Sequence, residues 1–599
     1  MNVVQNTLQM VEVGKAQFLV RLIPLVTALL VIAGAYDFVV YRGLSDAQSM
    51  DNAQLARQIV RGQGYTTKFL RPQAVAQFRD YAVSRGETTL FPPDRFPAGV
   101  PRILPDTYNA PGYPCLLAAW FFISHPEFDQ VPRAMSTNHS YSGDRWIPLL
   151  NQFFMVLTAI LIFVLGKRLF DDRVAWISVV AFLSTDLIWH LTLTALSTSV
   201  LMFLITAMLM CILEIFRIGE ECFNNEDRSF GPAWLWGFAV AFLLAAACLT
   251  RFDLLILLVP FFVFLFLMPR GSFLLPAVIA LLVIASLVPW FIHLKKVSGH
   301  FLGSNSVLML YGEGEYAGNQ IYCTTSIPSY EQIFGDVVKK ETSGFRYNFE
   351  HAWSLLGSNP LILLFGASIL HLFKRRGTRL FHWLVFCCAI FLVGANNLGF
   401  AAPEPVGPWN ALILLFPCML VIGTAFFFIL LDRLNVQMRL LYHLIVTTTV
   451  IFILTPMVLT VTATNLTYYS FPPYLPPLIK LYGQFAQPDE WVTSDMPWAT
   501  AWYADRASLW LPDSISDFEN FHKNVCPTGV LMLTPVTWTE PVSTFTTGEY
   551  KSWAPLVMVT GDDFLAPTDF PLTLRVATPA GGADYTVWSD RPRWQEDSK

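Results

Sequence analysis

The stretch MDNAQLARQIVRGQGYTTKFLRP, residues 50–72, comes soon after the apolar run FLVRLIPLVTALLVIAGAYDFVVY, residues 18–41. A polar helix with an acidic first residue and a glycine stop therefore sits where the chain leaves a membrane. From Asp51 to Arg61 the spacing is helical: Leu55 and Ile59 stand four apart with Ala56 beside them, while Arg57 and Arg61 share another face. Gly62 and Gly64 end it. The pattern predicts a helix lying at the interface, apolar stripe down and arginines among lipid phosphates. Asp51 reads in two ways. It is an N-cap, with Gln54 completing a capping box, or a carboxylate held at the membrane surface to take a proton from an acceptor hydroxyl. Asp46, in GLSDAQSMD, competes for the second role.

The composition makes lipid the main solvent. Only 14% of the 599 residues are charged where a soluble chain carries roughly a quarter. Mean hydropathy is +0.47 and 49 residues are phenylalanine. A net charge of −5 leaves no nucleic-acid footprint. Most of the nine cysteines lie in apolar runs, as small hydrophobes. Cys323 and Cys526 fall in polar regions; a disulfide between them is conceivable but has no support in the spacing, and no zinc-type pattern appears.

Apolar runs that span or nearly span a bilayer fall at about 17–41, 146–165, 174–191, 197–215, 232–250, 254–268, 274–294, 358–373, 380–396, 408–431 and 440–463. The first is too long for a signal-peptide core and no cleavage site follows it, so it reads as a retained anchor. With a cytoplasmic N-terminus every short inside loop, such as GKRLFDDR (166–173) and KRRGTR (374–379), carries Lys or Arg. Lys295 and Lys296 break the rule on the outside. The expected architecture is a polytopic α-helical membrane domain of about 11 helices, residues 1–463, with outer loops 42–145 and 295–357. Residues 464–599 form a small extracytoplasmic α/β domain, since short β-like runs there alternate with Pro/Gly turns.

Five segments, in order, resemble the GT-C glycosyltransferases of the family-39-like branch, which includes protein O-mannosyltransferases and aminoarabinose transferases. They are AQLARQIVRGQGYTT with YNAPGYPCLLAAWFF (108–122), GKRLFDDRVAWISVVAFLSTDLIWH, AACLTRFDLLILLVP, VPWFIHLKKVSGHFLGS, and DMPWATAWYADRASLWLP (495–512). The resemblance implies transfer of a sugar from a polyprenyl-phosphate carrier to a protein, lipid or glycan acceptor on the outer face of the cytoplasmic membrane. Such transfer is usually inverting, with an acid of the first loop, Asp51 or Asp46, as base. An anionic leaving group at that depth needs cations. Arg251, Lys295, Lys296 and His300 fit, with Arg57 on the helix; the lysines also read as interfacial snorkels and Arg251 as the partner of Asp253. Tyr108 and Asn109 line the sugar pocket or simply turn the chain back into the membrane.

The chain departs from the pattern in places. The acids that relatives carry side by side are spread here as Asp46 and Asp51. A second outer-loop acid is replaced by Ser197, Thr198 and Ser199, with Asp186 nearby, and Trp409 and Asn410 stand where an Arg is common. Single histidines without i/i+4 partners predict no metal; a divalent cation, used by some relatives, has no support here. No phosphate-binding glycine loop or serine elbow is present. The competing class is a non-catalytic scaffold or a transporter. A transporter, however, puts ionisable groups mid-membrane and shows repeats, whereas the polar residues here cluster at outer helix ends.

Overall fold

The computed structural model describes residues 15–128, 141–224, 230–268, 273–304, 322–323, 330–399, 410–434, 439–463, 476–557, 570–580 and 583–593, apart from a few isolated positions within them (88, 95, 513, 535, 538–541 and 548). Trp409 lies outside them, and so do the side chains of 15–22 and of Cys323.

All the apolar runs are helical. Seven helices are long and apolar enough to cross a bilayer among the described residues: Ile147–Leu169, Thr198–Asn224, Gly231–Thr250, Leu274–Ser298, Arg376–Asn397, Ala411–Arg433 and Leu440–Ala463. The pair Asp172–Leu183 and Asp186–Thr192, bent by 59° at its break, makes either one more, broken span or a re-entrant loop. Shorter apolar helices cover Val26–Val40, Gly112–Ser124, Phe252–Leu267 and Pro360–Leu370. Thr198–Asn224 and Ala411–Arg433 are largely buried inside the bundle, whereas Leu440–Ala463 turns most of its surface outward. Backbones meet closely where glycine permits: a Cβ on Gly423 would strike the backbone of Leu361, and one on Gly166 that of Ala175. This is a multi-pass membrane protein.

The two ends of the bundle differ. At one end the loops read as cytoplasmic meet: Arg173 contacts Asp171 (3.2 Å), Asp432 (3.8 Å) and the Tyr442 hydroxyl (3.4 Å), and Lys167 pairs with Asp172 (3.0 Å). At the other end lie residues 42–128, the segment after Leu274–Ser298, and the tail.

Among its described strands the tail builds a twisted mixed sheet, which bears out the small α/β domain expected there. Strands β5 (Trp491–Ser494), β6 (Ser508–Pro512) and β7 (Thr528–Leu533) run parallel, with the helix Ile515–Asn524 between β6 and β7. The hairpin β8 (Leu574–Ala580) and β9 (Ala583–Ser589) adds antiparallel to β7. Strands from the membrane domain's loops cover the free edge of β6. β2 (Phe69–Leu70) pairs parallel with Ser508 and Leu509, and β4 (Tyr322–Cys323) with Leu511 and Pro512. A two-residue ladder, β1 (Thr66–Thr67) with β3 (Leu104–Pro105), ties the first loop to itself. Buried Trp491, Trp502, Trp510, Trp553 and Trp588 fill the space between sheet and helices. Cys526 is a free, buried thiol, so it forms no disulfide with Cys323.

Candidate functional site

The helix after the first apolar segment starts earlier than its sequence pattern predicts, at Ala47, and runs to Val60. Asp46, not Asp51, is the N-cap: its carboxylate accepts the Ser49 N–H (2.8 Å) and the Ser49 hydroxyl. Asp51 therefore stands inside the helix and is not its cap. Gln54 does reach it, but side chain to side chain (3.0 Å) rather than as a capping box. Nor does the helix lie on lipid. Residues 49–58 are buried, because the first loop and the tail close over both faces. Gly62 and Gly64 end it at φ +73° and +71°.

Asp51 is fully buried, and among the described residues its carboxylate accepts side-chain donors on both oxygens. Oδ2 takes Arg71 Nη2 (2.8 Å) and Asn109 Nδ2 (2.8 Å), and Oδ1 takes Gln54 Nε2 (3.0 Å). The Arg71 guanidinium lies 4.1 Å from the ring centroids of both Phe69 and Tyr108, a cation between two π-faces. Its Nη1 is 3.9 Å from a second buried carboxylate, Asp106. Asp106 in turn accepts the Asn109 backbone N–H (2.8 Å). Burial, together with the charge of Asp51, pushes the Asp106 carboxyl up to about 7. A cavity of about 10 Å³, roughly one water, lies against Arg71, Asp106, Thr107, Tyr108 and Ser304.

Of the residues singled out in the sequence, Asp51, Tyr108 and Asn109 come together here. Arg71 and Asp106 belong with them and carried no motif. The readable signs were modest: Arg71 precedes Pro72, the first residue of a helix, and Asp106 stands three before Asn109, the spacing of a carboxylate that holds a turn.

Arg57 is elsewhere. It is buried on the tail, donating to the carbonyls of Ala501 and Trp502 (2.7 Å each), pairing with Asp505 (2.9 Å) and lying 4.7 Å from the Trp502 ring centroid. Those carbonyls close a helix C-terminus, where a cation is favoured. Its predicted place among lipid phosphates is thus corrected. Arg61 (2.7 Å) and Lys68 (2.7 Å) join the same Asp505, whose carboxyl is held far below the ordinary range by the three cations despite its burial.

Arg251 caps Gly231–Thr250 and makes a two-pronged ion pair with Asp253 (3.0 and 2.5 Å). Lys295 and Lys296 sit in the exposed last turn of Leu274–Ser298, suited to its dipole, with Lys295 Nζ 4.2 Å from the Phe301 ring centroid; His300 is exposed. The segments that carry these cations meet the 107–112 loop through close contacts. Gly303, at φ +62°, abuts Thr107, Ser304 Oγ is 3.1 Å from Thr107 Oγ1, and Gly112 packs on Leu249 and Thr250. Asp186 is set apart, bonded to Tyr36 and to Thr460 (3.1 Å), with His190 3.5 Å away. Asn410 donates to the Leu355 carbonyl (2.7 Å).

Neither protein-family models nor the curated proteins include a match to this chain. Solved structures do match. ArnT from Cupriavidus metallidurans, bound to undecaprenyl phosphate, superposes with a TM-score of 0.52 at 12% identity, over 95% of this chain and 98% of that one. The archaeal oligosaccharyltransferase AglB from Archaeoglobus fulgidus, in complex with an inhibitory peptide and a dolichol-phosphate, gives 0.53 at 11% identity, over 89% of this chain and 70% of that one. The match to ArnT covers nearly the whole chain, membrane bundle and soluble tail together, so the fold of this chain is similar to that of ArnT and AglB.

Proposed function

We propose that the chain is an integral-membrane glycosyltransferase. It takes a sugar from a polyprenyl-phosphate carrier and transfers it to a protein, lipid or glycan acceptor on the outer face of the cytoplasmic membrane, with inversion. The N-terminus is then cytoplasmic and the tail extracytoplasmic. One observation carries this reading: in a GT-C bundle, a carboxylate at the outer end is held by Arg71, Asn109 and Gln54 rather than spent on capping a helix.

Asp51 is the base in this scheme. It takes the acceptor proton as the acceptor oxygen or nitrogen attacks the anomeric carbon, and the phosphate leaves from the opposite face. Asn109, Gln54 and Arg71 orient the carboxylate. Lys295, Lys296 and His300 meet the lipid phosphate at the interface, where charge develops on the leaving group. Arg251, already paired with Asp253, is a weaker candidate for that contact. Asp46 is assigned to capping.

The complete burial of Asp51 favours a second reading, a non-catalytic scaffold in which the cluster is purely structural. Purified protein in lipid, given a panel of polyprenyl-phosphate sugars, separates the two. Asp51→Asn is expected to lose about 10²- to 10⁴-fold in transfer, while Asp46→Asn loses stability and little rate. A wild type that binds polyprenyl phosphate yet transfers from no donor supports the scaffold.

A further inference from the structure

A groove of about 870 Å³, far larger than the space beside Arg71, opens in the half of the bundle that ends at Arg173 and Tyr442. Its walls are helix faces. Trp176, Val180 and Leu183 stand four and three apart on Asp172–Leu183, Ala28 and Ile32 stand four apart on the first helix, and Leu454 comes from Leu440–Ala463. Polar side chains gather at one end, where Asp172 and Arg173 lie opposite Tyr442 and His443. From Arg173 to Ser184, and from Tyr442 to Leu454, a helix climbs about 16–18 Å. Half the hydrocarbon core of a bilayer is about 15 Å. The groove is therefore one leaflet deep, with its polar mouth at headgroup level.

The elements that wall it are pinned to one another toward the outer end. The Tyr36 and Thr460 hydroxyls both donate to Asp186, Thr460 at 3.1 Å, and the Tyr36 and Trp189 rings stack 5.3 Å apart. Toward the mouth the same elements part and leave the groove between them, bridged by Arg173 Nη1 and the Tyr442 hydroxyl at 3.4 Å.

We propose that this groove is a lipid site, taking one phospholipid of the adjacent leaflet whose headgroup joins a phosphodiester to a primary ammonium, the phosphatidylethanolamine class. Acyl chain fills the apolar walls, because a void there forfeits the dispersion contacts of its lining. The headgroup follows from the mouth, where both signs of charge alternate. Arg173, 3.2 Å from Asp171 and 3.8 Å from Asp432, meets the phosphate beside the Tyr442 hydroxyl. Asp172 accepts the ammonium; its pairing with Lys167 (3.0 Å) is between two exposed side chains and yields readily to a further partner. A purely anionic headgroup would bring like charge against Asp171, Asp172 and Asp432. A quaternary ammonium offers a carboxylate no N–H. The bound lipid then joins the first helix to the bundle near the mouth, as Asp186 does at the other end. The inference does not rest on sugar transfer.

The test is native mass spectrometry of the full chain released from detergent, with phosphatidylethanolamine, phosphatidylglycerol, phosphatidylcholine or a polyprenyl phosphate added in turn. Wild type is expected to retain one phosphatidylethanolamine about tenfold more tightly than any of the others, the worth of one charge-assisted hydrogen bond. Val180→Trp and Ala28→Trp, which fill the groove from opposite walls, should each lose that lipid. Leu281→Trp, on an exposed lipid-facing position of Leu274–Ser298, should keep it. Asp172→Asn should bind lipid still but lose the preference for phosphatidylethanolamine over phosphatidylcholine. Equal retention of all four lipids, or a preference for phosphatidylglycerol or the polyprenyl phosphate, would overturn the assignment of the headgroup. Retention unchanged in both groove-filling variants would place the lipid elsewhere and end the proposal.

Discussion

Asp144 shows what a buried acid does here when no cation among the described residues is at bonding distance. It accepts Trp502 Nε1 (2.8 Å) and the Tyr503 hydroxyl (3.2 Å), and its own carbonyl accepts the Tyr41 hydroxyl (3.0 Å), so it joins the exit of the first helix to the tail. Burial outweighs these donors and pushes its carboxyl up to about 7. The folded state then holds the proton more tightly than the unfolded state. Its contribution is complete below the unfolded value and is lost as pH rises through the folded one. Asp144→Asn should therefore raise the thermal midpoint over wild type at about pH 8, by less at pH 5, and leave it unchanged only below the unfolded value of about 4, read by unfolding scans across that window. At this scale the sequence was partly legible. Asp51, Tyr108 and Asn109 stand in recognisable runs, whereas Arg71, Asp106 and Asp144 take their meaning from partners distant in the chain.

The helix Ala47–Val60 carries two kinds of residue one turn or two apart. Asp51 faces the first loop, and Arg57 grips the tail. Arg57→Ala leaves the Ala501 and Trp502 carbonyls without their donor and removes one of three cations from Asp505. Because Arg61 and Lys68 remain, the loss should lie at the lower end for a broken buried pair, about 3 kcal/mol, measurable by denaturant unfolding in detergent. Arg57→Lys should recover only part of it, since an ammonium cannot fork to two carbonyls and a carboxylate together. The helix itself was readable from its spacing and its glycine stop. Its start and its burial were not: Asp46 and Asp51 are equally good caps by residue type, and amphipathic spacing looks the same whether lipid or protein covers the apolar stripe.

For the whole molecule, the apolar runs found in the sequence all became helices, because a bilayer demands internally satisfied backbone and long apolar composition announces it. The layer outside the membrane was legible only in part. Strand-like runs in the tail foretold a sheet, but β2 has just two residues and gains its identity from Ser508 and Leu509. The tail is accordingly incomplete alone. Residues 476–593 made as a separate soluble chain should expose the β6 edge and associate, seen as early-eluting species in size-exclusion chromatography, while the full chain in lipid stays monodisperse.

The shared sheet also imposes an order on biosynthesis. Phe69 and Leu70 leave the ribosome long before Ser508 and Leu509, which they pair with in parallel. At about 5–20 residues per second the interval is on the order of tens of seconds. Throughout it the first loop waits outside the membrane with its strand unmatched, while the later helices are threaded behind it. The last part of the chain to be made is thus the part that covers the Arg57 side of the helix Ala47–Val60. That side is covered only when translation is nearly finished, and a nascent chain that stalls early leaves Arg57 without the Ala501 and Trp502 carbonyls.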